Sequence, residues 1–186
     1  MNYLDEVVER NQRFAAEQSA TGKLMPSLPA AMPDVRAIII GCADMRVDPA
    51  HVLGIKSGEA IVLRNIGGRI TPGLLEQIGM LGLISQVASE GATPQEKEFH
   101  LIVMQHTDCG ITRLTKDVAM LSKYFQVSET EVEKKAVSRP RAAVAGDVDF
   151  LRAIPALPVG WLLSGLVYDV ATGTVETVVP PAPVRA

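Results

Sequence analysis

The sequence predicts an α/β fold: a single domain with a mostly parallel central sheet flanked by helices, an N-terminal helix arm and a C-terminal β-hairpin. Three observations predict it. Apolar runs with no polar interruption, Ala37 to Ile40 and Leu101 to Met104, read as strands buried on both faces, the hallmark of parallel sheets covered by helices. An amphipathic or apolar stretch of helical length lies between successive runs, an order that requires a parallel crossover. Near the end, Trp161 to Asp169 and Thr174 to Val179 flank Ala171-Thr172-Gly173, which reads as a hairpin turn. With 186 residues and 47% hydrophobic content the chain can bury a full-sized core, so one domain is expected, divided into an arm and connection over 1–33 and an α/β core over 34–186.

Each element follows from its local chemistry. Between Asn2 and Ser19, Leu4, Val7, Val8, Phe14 and Ala15 recur among charged neighbours as an imperfect 3.6-residue stripe, an amphipathic helix suited to docking on another subunit. Three prolines between Thr21 and Pro33 make that stretch an extended connection. After the first strand, Asp48 caps a short helix with Pro49 in its first turn, broken by Gly54 and Ser57-Gly58. Ala60 to Arg64 is the second strand, and Thr71-Pro72 opens a long apolar helix through Leu74, Leu75, Ile78, Leu81, Leu83 and Val87 that Gly91 and Pro94 stop. A third strand over Phe99 to Gln105 runs into His106. Beyond it we expect a helix over Ile111 to Tyr124, a second from the capping-box spacing Ser128-x-x-Glu131 through Lys135, and a third capped by Asp147 that ends before Pro155. Pro180 to Ala186 reads as a frayed end.

Composition narrows the function classes. The formal charge of -3, from 18 Lys+Arg against 21 Asp+Glu, gives no basic field for nucleic acid or anionic lipid, and 4% aromatic content leaves little to stack on bases. No window has the length of a membrane span, and the start lacks an apolar block after a basic segment, so a cytoplasmic location is expected. In a reducing compartment Cys42 and Cys109 are read as free or metal-bound thiols.

The chemistry concentrates at two strand ends. One apolar run finishes in Gly41-Cys42-Ala43-Asp44-Met45-Arg46 and the other in His106-Thr107-Asp108-Cys109-Gly110. Ligand sites of open parallel sheets form beyond the carboxyl ends of strands. Zinc takes thiolate sulfur and imidazole nitrogen in a tetrahedron, and catalytic sites keep one position for water or substrate; Cys42, His106 and Cys109 supply three ligands. The alternative is a pair of ordinary buried thiols. Asp44 and Arg46 weigh against it, because a bidentate carboxylate–guanidinium pair holds an acid in one rotamer and keeps it ionised. Gly67 and Gly68, at the end of the second strand, allow backbone N–H groups to approach a small anion.

Cys42-x-Asp44-x-Arg46 followed further on by His106-x-x-Cys109 resembles the β-class carbonic anhydrases, closely from about Val35 to Cys109 and loosely to the terminal hairpin. The resemblance implies zinc on Cys42, His106 and Cys109, a catalytic dyad of Asp44 and Arg46, a substrate pocket bordered by Gly67 and Gly68, and a homodimer whose first helix embraces the partner. The implied reaction is the reversible hydration of CO2 to bicarbonate and a proton by zinc-bound hydroxide, which Asp44 aligns and Arg46 orients through Asp44. If Arg46 releases it, Asp44 can swing to zinc as a fourth ligand. The chain departs from the pattern at Ile66, where relatives usually carry a small residue, and at Met32-Pro33-Asp34, where some plant-type relatives carry glutamine nearby.

Competing functions are hydrolysis of COS or CS2 on the same scaffold, a non-catalytic zinc or bicarbonate binding protein, and a redox dithiol of Cys42 and Cys109. His51 and His100 lie away from the strand-end cluster and read as a helix-surface and a strand-face residue, and Asp108 as an exposed loop residue with a hydrogen bond to the site as its alternative role. Glu131 to Lys135 is a solvated helix face, and Gly79-x-x-Gly82 permits close helix packing.

Overall fold

In the computed structural model, which describes residues 2–25, 27, 35–88 and 97–185, five strands form one sheet in the order β2-β1-β3-β4-β5, where β1 is Ala37–Cys42, β2 Ala60–Asn65, β3 Phe99–His106, β4 Trp161–Tyr168 and β5 Val175–Pro183. β1, β2, β3 and β4 run parallel, and β5 returns antiparallel to β4. The chain passes from β1 to β2 on one side and then crosses to β3 on the other. The direction of winding therefore reverses at the carboxyl ends of β1 and β3, the crevice where open α/β sheets bind ligands. Ile40 lies opposite Val103 in that register, so Cys42 and His106 arrive at the same edge.

Every residue of β1 is buried, as its unbroken apolar sequence requires. Alternation sends Ile38 and Ile40 to one face, with Leu101, Val103 and Leu163, against α3 (Pro72–Ala88) and α6 (Pro140–Arg152). It sends Ala37 and Ile39 to the other face, with Met104 and the half-buried Val52 and Leu53 around α2 (Pro49–Val52). Asp48 caps α2 by accepting from the Ala50 and His51 amides, as its sequence indicated. Thr71 likewise accepts from the Leu74 amide at the start of α3. The N-terminal helix, α1, spans Tyr3–Ala20, is closed by a capping box of Asn2 and Asp5, and contains no buried residue.

Three local expectations change. Instead of one helix over 111–124, a 3-10 turn at Gly110–Leu114 precedes α4, Val118–Phe125. The hydroxyls of Thr112 and Thr115 donate to the Cys109 and Thr112 carbonyls, and Asp117 caps α4 through the Met120 amide, so the backbone breaks between them. Asp147 caps nothing: α6 begins at Pro140, in the first helical position, and Asp147 is buried in its interior. The tail is not frayed, because β5 runs to Pro183, Val184 is 3% exposed, and Arg185 donates to the carbonyls of Ile154, Pro155 and Leu157. The capping box at Ser128 and Glu131 forms as expected and opens α5, Glu129–Val132, which tightens into a 3-10 turn over Glu133–Lys135. The stop signals at Gly91 and Pro94, Met32-Pro33-Asp34 and the prolines of the connection lie outside the described residues.

Candidate metal centre

Cys42 closes β1, His106 closes β3, and Cys109 follows three residues after His106 at the mouth of a tight turn. Asp108 takes a left-handed conformation, φ 52°, which turns the chain back and brings Cys109 beside Cys42. The sulfurs lie 3.6 Å apart. Two thiolates on one tetrahedral zinc, with bonds of about 2.3 Å, would lie roughly 3.8 Å apart. The ligand atoms of Cys42, His106 and Cys109 all fall within 4.8 Å of one another, and all three residues are buried.

The imidazole is oriented for ligation. His106 Nδ1 donates to the Thr107 carbonyl at 2.8 Å, which leaves Nε2 as the lone-pair nitrogen of a neutral ring. Among the described residues, His106 Nε2 is one of two buried side-chain nitrogens without a hydrogen-bond partner. A buried acceptor facing two sulfurs fits a cation, so the donor set matches a soft divalent metal.

The sulfurs are prepared unequally. The Cys109 thiol donates to Cys42 and holds it down to about 4 against the effect of burial, with help from the Asp44 and Gly67 amides. Those amides reach Cys42 Sγ at 3.4 and 3.3 Å. Cys109 moves the other way: its proton is shared with the Cys42 sulfur, and burial opposes its ionisation.

The Gly67-Gly68 turn makes this approach possible. Both residues have positive φ, and a Cβ on Gly68 would stand 2.9 Å from the Met104 carbonyl oxygen and 3.0 Å from the Cys42 nitrogen. The Asn65 side chain braces the turn, accepting from the Arg69 amide and donating to its carbonyl. Tyr124, whose phenol burial pushes up to about 12, donates its hydroxyl to the Ile66 carbonyl from α4. Ile66 itself is 52% exposed.

Asp44 follows Cys42 by two residues and is held by Arg46 at both oxygens: Nε donates to Oδ1 at 3.0 Å and Nη2 to Oδ2 at 2.7 Å. Those bonds hold the Asp44 carboxyl well below the usual carboxylate range. Asp44 Oδ2 stands 4.0 Å from His106 Nε2. The seven residues expected from the sequence therefore meet at one strand edge.

Several others gather there that the sequence reading passed over. Arg64 spans the loop after β1, donating to the Cys42 and Asp44 carbonyls and to the Asp48 carboxylate. Its place at the end of β2 was the available signal. Arg69 is buried against Asp147 of α6 and bonds the Lys135 carbonyl, and Gln105 donates to the same carboxylate. Two polar residues set among apolar neighbours, Arg69 before Ile70 and Gln105 in β3, were the sign of that network. A cavity of about 190 Å³ opens beside the cluster, lined in part by Gly67, Arg69, Gln105, His106, Cys109 and Ile111. His51 is exposed and His100 lies 3.9 Å from Glu98, both away from the cluster as expected.

The family profile described as carbonic anhydrase matches residues 37–175. Beta-carbonic anhydrase 1 of Mycobacterium tuberculosis is 30% identical over 159 residues, spanning 82% of this chain and 88% of that protein. The carbon disulfide hydrolase of Saccharolobus solfataricus is 28% identical over 136 residues, spanning 70% of this chain and 56% of that protein. The solved carbonic anhydrase of Streptococcus mutans superposes with a TM-score of 0.67 at 28% identity, covering 96% of this chain and 98% of that one.

Proposed function

The chain belongs to the β-carbonic anhydrase family, and on that premise we propose that it is a zinc enzyme that reversibly hydrates CO2 to bicarbonate and a proton. One observation carries the reading: three buried ligand atoms converge within 4.8 Å, with the Asp44 carboxylate fixed 4.0 Å from one of them.

Zinc held there would supply Lewis-acid chemistry that makes water nucleophilic at moderate pH. The remaining steps belong to the chain. Cys42, His106 and Cys109 hold the ion, and the Gly67 and Asp44 amides spread the charge of Cys42. Arg46 keeps Asp44 ionised and in one rotamer, so its carboxylate accepts a hydrogen bond from the attacking water and aims a lone pair at the carbon of CO2. Gly67, lacking a side chain, forms part of the wall of the substrate pocket, and Gly68 lets the turn behind it close against the β1 and β3 backbones. Two thiolates and a neutral imidazole leave a divalent ion formally uncharged, so water is acidified less than by three imidazoles and activity rises toward alkaline pH.

The working unit in this reading is a homodimer. α1 exposes Tyr3, Leu4, Val8 and Phe14, and α3 exposes Met80, Leu83, Ile84 and Val87, apolar surface that a second copy would cover. A cytoplasmic location suits two sulfurs that must stay reduced to bind metal. Among the described residues no helix is long and apolar enough to cross a membrane.

Metal analysis with stopped-flow hydration at about pH 9 tests the proposal. Zinc-loaded protein that hydrates no CO2 overturns it, and sulfide release from COS or CS2 on the same preparation would reassign the substrate. Asp44→Asn separates enzyme from binding protein: turnover is lost while zinc stays.

A further inference from the structure

Arg46 is 40% exposed at its side chain, and an ion pair in that setting, left to itself, is screened and mobile. It is not left to itself. Its guanidinium is divided between two loops: Nε and Nη2 face Asp44, while Nη1 donates to Asp108 Oδ2 at 3.0 Å and Nη2 donates also to the Asp108 carbonyl at 3.0 Å. Asp108 thus receives the guanidinium at side chain and backbone together. The left-handed backbone at Asp108 accompanies this pairing, and it is a conformation that aspartate tolerates better than most residues. Asp108 is anchored in turn, since Arg113 Nη2 donates to its other carboxylate oxygen at 2.8 Å. The outcome is a ladder of alternating charge, Asp44, Arg46, Asp108, Arg113, running from the cluster to solvent. It ties the loop that follows Cys42 at the end of β1 to the loop that follows His106 at the end of β3 and carries Cys109.

We infer that Asp108 is a positioning residue for the reaction: by clamping Arg46 from the far side it keeps the Asp44 carboxylate in the single rotamer that addresses the attacking water. The inference rests on the carbonic anhydrase reading for its catalytic consequence, and on geometry alone for the clamp. Without the Asp108 carboxylate, Arg46 keeps its charge, its two bonds to Asp44 and its bond to the backbone carbonyl at position 108, but loses the Nη1 bond that fixes its plane, and the Arg46–Asp44 pair gains freedom to turn.

Asp108→Gly tests it, because glycine keeps the left-handed turn without strain while removing the carboxylate. Asp108→Asn retains an acceptor oxygen and serves as the conservative rescue. The expected result for Asp108→Gly is a fall in kcat/KM of about ten- to a hundred-fold with zinc still bound, and a partial recovery for Asp108→Asn. Combined with Arg46→Ala, Asp108→Gly adds nothing to the loss from Arg46→Ala alone, because it acts through Arg46. Independently of turnover, the Arg46 Nε–H proton, which Asp44 accepts, exchanges with water faster in NMR spectra of Asp108→Gly than in those of the parent chain, because the unclamped Arg46–Asp44 pair turns and opens more often.

Undiminished kcat/KM in zinc-loaded Asp108→Gly, a further loss in the double variant, or unchanged protection of Arg46 Nε–H each overturns the inference. If the parent chain fails to hydrate CO2, the functional reading falls while the exchange measurement still decides the clamp. If Asp108→Gly loses its metal, the same exchange measurement comparing it with the metal-free parent chain decides it.

Discussion

Arg69 and Asp147, 78 positions apart in the chain, form an ion pair at 2.7 Å with side chains 2% and 3% exposed, and it pins α6 to the turn that faces the metal centre. The Asp147 carboxylate also takes the Gln105 amide and the Ile70 N–H. Arg69 Nη1 has no hydrogen-bond partner among the described residues, and its guanidinium lies over the Phe125 ring, 5.0 Å from the centroid. Removing one partner strands the other charge in the core. Asp147→Asn should therefore cost about 3 kcal/mol or more, whereas the joint replacement Arg69→Met with Asp147→Leu should cost much less, as urea unfolding of the three proteins will show.

The Gly68 site makes a second, steric prediction. Its φ of 61° disfavours a side chain, and a Cβ would press on the Met104 carbonyl and the Cys42 amide, both backbone groups that cannot swing aside. Gly68→Ala should lower stability by about 2 kcal/mol and shift the turn that aims the Gly67 amide at Cys42. The matched control is Gly146→Ala in α6, where a Cβ meets nothing within 4 Å and the change should stabilise by about 0.5–1 kcal/mol. Thermal unfolding of the two variants in parallel checks the contrast.

These two sites mark what a sequence can and cannot disclose. Cys42, Asp44 and Arg46 stood out because an unbroken apolar strand stopped at groups that do not pack, and His106 and Cys109 repeated the pattern on an adjacent strand. The Arg69 network stayed hidden because its members lie on segments brought together only when α6 docks on the sheet. Asp147 has the chemistry of a cap, and only the position of Pro140 tells that the helix has already begun. The proline-rich tail misleads for a related reason. β5 is the edge strand, and its register with β4 shifts between Leu163 and Gly165, opposite Pro180 and Pro181, so the strand absorbs these prolines at an irregularity and at an open edge, the two places where a missing N–H is tolerated.

The exposed apolar faces predict the assembly. Leu83 and Val87, 63% and 68% exposed on α3, would lie at the centre of a subunit contact. Leu83→Glu with Val87→Glu should convert a dimer into a monomer in sedimentation equilibrium without changing the strand content seen by circular dichroism. A parent chain that sediments as a monomer at micromolar concentration would refute the dimer.

The uneven thiol pair sets how many protons leave when metal enters. Cys42, held down to about 4, is ionised throughout the neutral range, while Cys109, held up by sharing its proton with Cys42, is not. In the metal-free protein the unfolded chain binds the extra proton at Cys42 as pH rises from about 4 toward the ordinary thiol pKa of about 8.5, so this group's contribution to stability grows with pH over that interval. Above it the unfolded chain loses the proton that native Cys109 retains, and the contribution of that group declines. Because the Cys109 pKa is raised, zinc must displace its proton in the neutral range. Calorimetry in buffers of different ionisation enthalpy should give close to one proton per zinc at about pH 8, where two ordinary thiols would release about one and a half.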